Sequence, residues 1–271
     1  MQPILDIADL AHRREAAEAT AAGAALFYAF GNFCALAARP ELESLRAMNA
    51  LKGRPLDQVG SVTTTPEKAN DVFDWDRVNV PSSALGATMS DLQMLGPIGF
   101  RGPAAKHIPD HLTVTDAGVR TVQLITPGHR CPSNTLVGDV LDLIGKEILY
   151  ITSANMSSHV SKRFEAAHFE MREIQREFGE RPGVTLIGHR HERANRRLYP
   201  HHLPCSTSIV AFHTGELVLE RLGSLGADKI AEAAERHGLA LTIGEDARER
   251  VPVRHYRRPL RFQRRALNLK R

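Results

Sequence analysis

The sequence predicts an α/β fold built as a single domain. Short apolar, β-favouring runs such as Ala25–Phe30, Val119–Ile125 and Ile148–Ile151 alternate with stretches whose apolar residues recur every three or four positions. No segment repeats another, and 271 residues suffice for one sizeable core or one domain with a small appendage. Hydrophobic residues at 42% and charged residues at 24% are the proportions of a soluble globular protein. No apolar run approaches the roughly 20 residues that span a bilayer. The segment Met1–Leu10 holds two Asp and no Lys or Arg, which argues against a secretory signal. The three cysteines, Cys34, Cys131 and Cys205, are widely spaced with no CxxC pair, so a reduced, cytoplasmic setting without a membrane partner is expected.

In chain order, Asp9 caps a first helix to Ala22 that turns Leu10 and Ala17 to the core and ends at Gly23. Ala25–Phe30 reads as a strand stopped by Gly31-Asn32. Pro40–Leu51 is a helix with Leu42, Leu45 and Met48 at helical spacing, and Val59–Val62 a further strand. A short helix from Pro66 to Phe73 follows. From Asp74 to Asp110 the density of Pro and Gly predicts loops over a cleft. Val119–Ile125 is a strand, Asn134–Ile144 a helix, and Ser161–Phe178 a helix with Phe164, Ala167, Met171, Ile174 and Phe178 on one face. Val184–Ile187 is a short strand. Ser208–Phe212 and Leu217–Leu222 bracket a hairpin turn, and Ala227–Arg236 is the last helix.

Charge divides the chain into residues 1–245 and a tail, 246–271. From Arg250 to Arg271 there are nine Lys or Arg and no acid, which leaves the remainder at −5 against a net charge of +4 for the whole. The pI of about 9.1 therefore describes the tail rather than the body. With Tyr256 and Phe262 among its arginines, the tail suits RNA through phosphate contact and stacking; a surface-packed basic tail fits as well.

Two short stretches carry the chemistry. Thr152-Ser153-Ala154-Asn155 follows an apolar strand, and the carboxyl ends of strands are where α/β sheets bind ligands. Ser153 and Asn155 share one face of extended backbone and offer a hydroxyl beside an amide. The same residues also fit a turn that bonds its own backbone. Lys52-Gly53-Arg54-Pro55 sets two cations around a glycine, the composition of a phosphate clamp or of a solvated loop.

With Cys205-Ser206-Thr207-Ser208 and Glu220-Arg221-Leu222-Gly223, these motifs resemble, from about Ala24 to about Leu239, the YrdC-like family of threonylcarbamoyl-AMP synthases. The resemblance implies a YrdC-like domain over residues 1–245, a twisted mixed open sheet with flanking helices around a concave cleft. It implies an L-threonylcarbamoyladenylate synthase-like nucleotidyltransferase that turns ATP, bicarbonate and an amino acid or related acceptor into a carbamoyl-adenylate and pyrophosphate. Lys52, Arg54, Ser153 and Asn155 would surround ATP and act in catalysis, with Arg221 also on the nucleotide. Thr63, Ile125, Ile151 and Ser206 would line the acceptor end. Mg²⁺ would ride on phosphate oxygens rather than sit in a protein cage. The alternative is a YrdC-like module that binds RNA or nucleotide without catalysis.

The chain departs from the family pattern at the acceptor end. Tyr28-Ala29-Phe30-Gly31-Asn32 stands where the family has a polar Thr/Glu turn, Thr63 aligns with a His, and Ile125 with an Arg that holds a carboxylate. His129 and Arg130 are the nearby candidates to compensate. His189, His191, His201, His202 and Cys205 crowd one region at spacings that fit no structural zinc pattern, so no metal site is expected there.

Overall fold

In a computed structural model, which describes residues 2–156 and 166–254, helices and strands follow each other closely along the chain. A short β1 (Ile4–Asp6) leads to α1 (Leu10–Ala21), where Asp9 accepts from the backbone N–H groups of Ala11 and His12, the expected cap. Gly31, at φ 57°, turns β2 (Ala25–Phe30) directly into β3 (Phe33–Ala38), a strand the sequence reading left out. The helix α2 (Leu42–Lys52) ends at Gly53 in the left-handed region, the usual residue for a helix to stop on. Then come β4 (Ser61–Thr63), α3 (Ser82–Leu95), β5 (Ile98–Pro103), β6 (Val114–Asp116) and β7 (Val119–Thr126). After α4 (Ser133–Ile144) follow β8 (Leu149–Ser153), α5 (Met171–Phe178), β9 (Val184–Gly188) and a single turn, α6 (Glu192–Arg196). β10 (Ile209–Ala211) and β11 (Leu217–Arg221) form the expected hairpin, and α7 (Ala227–Glu235) and β12 (Leu241–Ile243) close the described fold.

Among the described residues the strands form one mixed sheet in the order β1-β9-β2-β3-β8-β4-β7-β5-β10-β11-β12, with β6 paired to β7. One face is covered by α2, α3, α5 and α7, whose Leu45, Met89, Ile174 and Ile230 pack with Phe27, Leu36, Phe100 and Leu124 of the strands. The other face is covered at one end by α1 and α4, through Ala16, Ala17, Leu136 and Val140 against Leu26, Tyr28 and Leu149. Among the described residues no helix covers the rest of that face, and this half-covered sheet forms the cleft.

Three sequence expectations are corrected. Residues 74–110 are not simply loops over the cleft: α3 packs Leu85, Met89 and Leu92 into the core, and β5 is a central strand between β7 and β10. Pro and Gly are tolerated there because Gly102 lies against the Phe212 ring, where a Cβ would come within 2.2 Å. Leu10 faces solvent; Ala16 and Ala17 make the core contact of α1. The helix expected from Ser161 is helical only over Met171–Phe178 among the described residues, with Ala166–Glu170 irregular. Residues 157–165, including Phe164, and the basic residues from 255 onward lie outside the described residues. The chain stays on the body as far as Arg254, whose N–H donates to the Pro204 carbonyl. No helix among the described residues is long and apolar enough to cross a membrane.

Candidate functional site

The open face of the sheet holds a cavity of about 230 Å³. Its lining includes Ser61 of β4, Arg101 of β5, Gln123 and Ile125 of β7, Ile151 and Ser153 of β8, and Ser206, Thr207 and Arg221 at the β10–β11 end. Phe33 and Ile125 supply apolar wall, and Arg54 reaches in from the turn after α2. Among the described residues, three arginines and no carboxylate line this cavity. Such a surface attracts anions.

Lys52 departs from the solvated loop cation that the sequence allowed. It is the last residue of α2, fully buried, and is not among the cavity-lining residues. Its Nζ donates to Thr152 Oγ1 at 3.1 Å and to the Ser153 carbonyl. Burial, and then the neighbouring Arg54, hold its ammonium well below the usual lysine range, while Glu177 pulls the other way. Lys52 therefore braces the end of β8 from beneath. Arg54 is half-buried and donates through Nη1 to the same Thr152 Oγ1 at 2.9 Å, with no ion-pair partner among the described residues.

The Ser153–Asn155 stretch combines both sequence readings. Ser153 Oγ donates to Asn155 Oδ1 at 2.6 Å, and Asn155 Nδ2 to the Met156 carbonyl at 2.9 Å, a self-bonded turn. The turn is also tied to its surroundings: Ala154 N–H donates to the Cys34 carbonyl, and the Ala154 carbonyl accepts from His168 N–H. Ser153 faces the cavity, whereas Asn155 is buried and outside the lining.

Arg221 donates from Nε and Nη2 to the carbonyl and Oγ1 of Thr207, at 2.9 and 3.2 Å. Burial, with repulsion from Arg101 and Arg54, lowers its pKa to about 10. Gly223, two residues on, explains the Arg-x-Gly pattern: a Cβ there would meet the Ser206 carbonyl at 2.3 Å. Gly223→Ala should thus push the end of β11 that carries Arg221 away from the segment that carries Ser206 and Thr207. We expect a loss of about 1–3 kcal/mol in the unfolding free energy, measured by urea denaturation.

Of the residues expected at an acceptor end, Ile125, Ile151 and Ser206 line the cavity. Thr63 does not: it is fully buried. His129 and Arg130 are exposed and outside the cavity lining, so they do not stand in for the missing arginine. The added cation is Arg101, which sequence reasoning missed because its strand lay in the stretch assigned to loops. Arg101 sits opposite Gln123 in the β5–β7 register, donates to Gln123 Oε1 at 3.2 Å, and pairs with Glu220 at 3.0 Å and Asp116 at 3.7 Å.

The histidine-rich region does not converge on one ligand set. His189 and His191 line a cavity beside α6, while His202 donates from Nε2 to the Leu95 carbonyl at 3.1 Å and meets Ser224 Oγ through Nδ1 at 3.0 Å. Burial lowers the His202 pKa to about 4. Because the unfolded chain would bind that proton near pH 6.5, this stabilisation is complete above pH 6.5 and is lost as pH falls towards 4. Unfolding free energies measured across this range should show a pH slope that His202→Gln reduces, by about 3 kcal/mol in total. Elsewhere among the described residues, Asp116, His213 and Glu220 bring potential metal-ligand atoms within 4.8 Å of one another, with Arg101 against both carboxylates.

No protein-family model and no curated protein matches the sequence. Solved structures do share the fold. A double variant of P. abyssi Sua5 superposes with a TM-score of 0.65 at 16% identity, covering 90% of this chain and 66% of that one. E. coli YciO gives 0.60 at 16% identity, over 85% of this chain and 99% of that one. The hypothetical protein smu.1377c from Streptococcus mutans UA159 gives 0.62 at 12% identity, over 90% and 99%. The chain thus spans just under two thirds of the first of these relatives and nearly all of the other two.

Proposed function

We propose, from the YrdC-like fold that this chain shares with Sua5 and YciO, that it binds ATP in the arginine-lined cleft and forms a carbamoyl-adenylate. An acceptor amine adds to bicarbonate to give a carbamate and water. A carbamate oxygen then attacks the α-phosphorus of ATP, and the bond to pyrophosphate breaks. The observation that carries the reading is the convergence of Arg54, Arg101 and Arg221 on a cavity with no lining carboxylate. Guanidinium groups already in position there oppose the charge that gathers on departing pyrophosphate, the largest electrostatic demand of such chemistry. Ser153 and Ser206 supply neutral hydrogen bonds. Lys52 and Asn155 act from outside the cavity, holding the Thr152–Asn155 turn in place.

Among the described residues the lining has no carboxylate, so it suits Mg²⁺ that would arrive on phosphate oxygens; such an ion would neutralise triphosphate charge when bound. The proposed acceptor differs from threonine. One P. abyssi Sua5 structure is complexed with L-threonine. In this chain a carboxylate at Ile125 would be desolvated against apolar wall, at a cost of about 2–7 kcal/mol or more. With ATP, Mg²⁺ and bicarbonate, threonine should raise pyrophosphate release little above the level without acceptor. Robust threonylcarbamoyl-AMP formation would overturn this assignment. ATP binding without pyrophosphate release for any amino acid or amine would instead favour the non-catalytic nucleotide- or RNA-binding module.

A further inference from the structure

Three polar side chains from neighbouring strands form a row across the middle of the cavity floor. Ser61 of β4 stands beside Gln123 of β7, because the next residues along these parallel strands, Val62 and Leu124, are register partners. Gln123 in turn faces its own register partner, Arg101 of β5. All three line the cavity. Arg101 Nη2 donates to Gln123 Oε1 at 3.2 Å, and Gln123 Nε2 donates to Ser61 Oγ at 2.6 Å. The amide has only one way round. A guanidinium offers donors alone, so a reversed amide would set N–H groups against N–H groups. Arg101 is itself held by Glu220 at 3.0 Å and Asp116 at 3.7 Å. Charge at one end thus fixes the direction of the whole row. Ser61 accepts from the amide and keeps its own proton to donate, and among the described residues its hydroxyl has no further partner. It also lies between two cationic walls. Arg54 stands on the β8 side, bonded to Thr152, and Arg101 and Arg221 stand on the β5 and β11 side.

We propose that Ser61 is a further binding residue for the nucleotide, donating its hydroxyl proton to a phosphate oxygen that spans the gap between these walls. Gln123 is the positioning residue that keeps the hydroxyl in that direction. The proposal rests on the adenylate-forming reading above. A serine free to rotate presents a lone pair as readily as a proton, and a lone pair repels phosphate. The Gln123 amide occupies the lone pair and leaves the donor to the cavity. A donor set in place before the ligand arrives needs no reorganisation when charge develops beside it.

The test titrates ATP and pyrophosphate separately into the full-length protein by calorimetry. Ser61→Ala should weaken ATP about tenfold, the loss of one hydrogen bond to a charged group, and Ser61→Thr should restore it. Gln123→Glu turns an acceptor-only group towards Ser61, which must then spend its proton on the new carboxylate. In that background Ser61→Ala should change ATP affinity by less than about twofold, a coupling that a merely structural role for either residue would not produce. Gln123→Met repeats the comparison without a new charge: it lets the hydroxyl rotate, and should weaken ATP only where Ser61 is present. Wild-type ATP affinity in Ser61→Ala overturns the proposal. So does an equal loss on Ser61→Ala whichever residue stands at 123, which would make Gln123 a bystander. A wild type that binds pyrophosphate but not ATP would instead overturn the adenylate-forming reading, and the same comparisons with pyrophosphate would still decide the roles of Ser61 and Gln123. A wild type that binds neither overturns both.

Discussion

Lys52→Ala should lower the unfolding free energy by about 3–5 kcal/mol, combining a core truncation with the loss of the two hydrogen bonds its amine donates. Lys52 is among the largest fully buried side chains, and its amine serves Thr152 Oγ1 and the Ser153 carbonyl. Alanine leaves a cavity under β8 and takes one donor from the Ser153 carbonyl, which keeps its bond from the Asn155 N–H; Thr152 keeps its bond from Arg54. Lys52→Met fills most of the volume and removes the desolvated charge, so it should cost only about 1 kcal/mol, since a hydrophobic group of similar size often replaces a buried ion without loss. Methionine cannot hold the Ser153 carbonyl, so this variant should fold yet turn over poorly. The pH dependence separates the two roles. The lysine's folded pKa lies below its unfolded value, so its burial penalty is relieved as pH rises towards 10.5. The wild type should therefore gain stability relative to Lys52→Met over that range. Urea denaturation checks each step, and equal stability of Lys52→Ala and wild type would show that Lys52 is not a buried brace.

Arg54→Ala should have the largest effect on activity with little effect on folding. Its guanidinium is half-buried, spends Nη1 on Thr152, and meets no carboxylate among the described residues. Removing a charge-assisted contact to phosphate should weaken ATP binding by about 1.5–3 kcal/mol, or roughly 10- to 150-fold. The rate should fall further, by about 10²–10³, because charge builds on the leaving pyrophosphate during the reaction. Arg54→Lys should recover only part of this, since an ammonium lacks the planar fork. Calorimetry with ATP and a pyrophosphate-release assay measure the two effects. Wild-type turnover in Arg54→Ala would exclude the cleft as the place of phosphate chemistry.

Legibility in the sequence followed the range of the interactions. Periodic apolar residues and glycine stops announced most strands and helices, and motif order pointed to the YrdC-like fold found in the structure. The buried side chains of α2 even fall at i, i+3, i+4 and i+7, Leu45, Met48, Asn49 and Lys52, so the inward direction of Lys52 was present in the spacing but masked by its charge. Arg101 was hidden for the opposite reason. Glycines and prolines around β5 read locally as loop, and only packing against Phe212 and pairing with β7 make that stretch a central strand.

By itself, then, the sequence determined the fold class, the caps and turns that bound its elements, and the short motifs that gather at the cleft. Those depend on contacts within a few residues, which the order of the chain prescribes. The tertiary structure alone decided that Lys52 lies beneath the site and Arg101 within it, that Thr63, His129 and Arg130 stay out of the cavity, and that Gln123 stands between Arg101 and Ser61. Burial and charge at those positions are set by elements about 100 residues apart in the chain, such as helix α2 against strand β8, and the sheet order that joins them has no local signature.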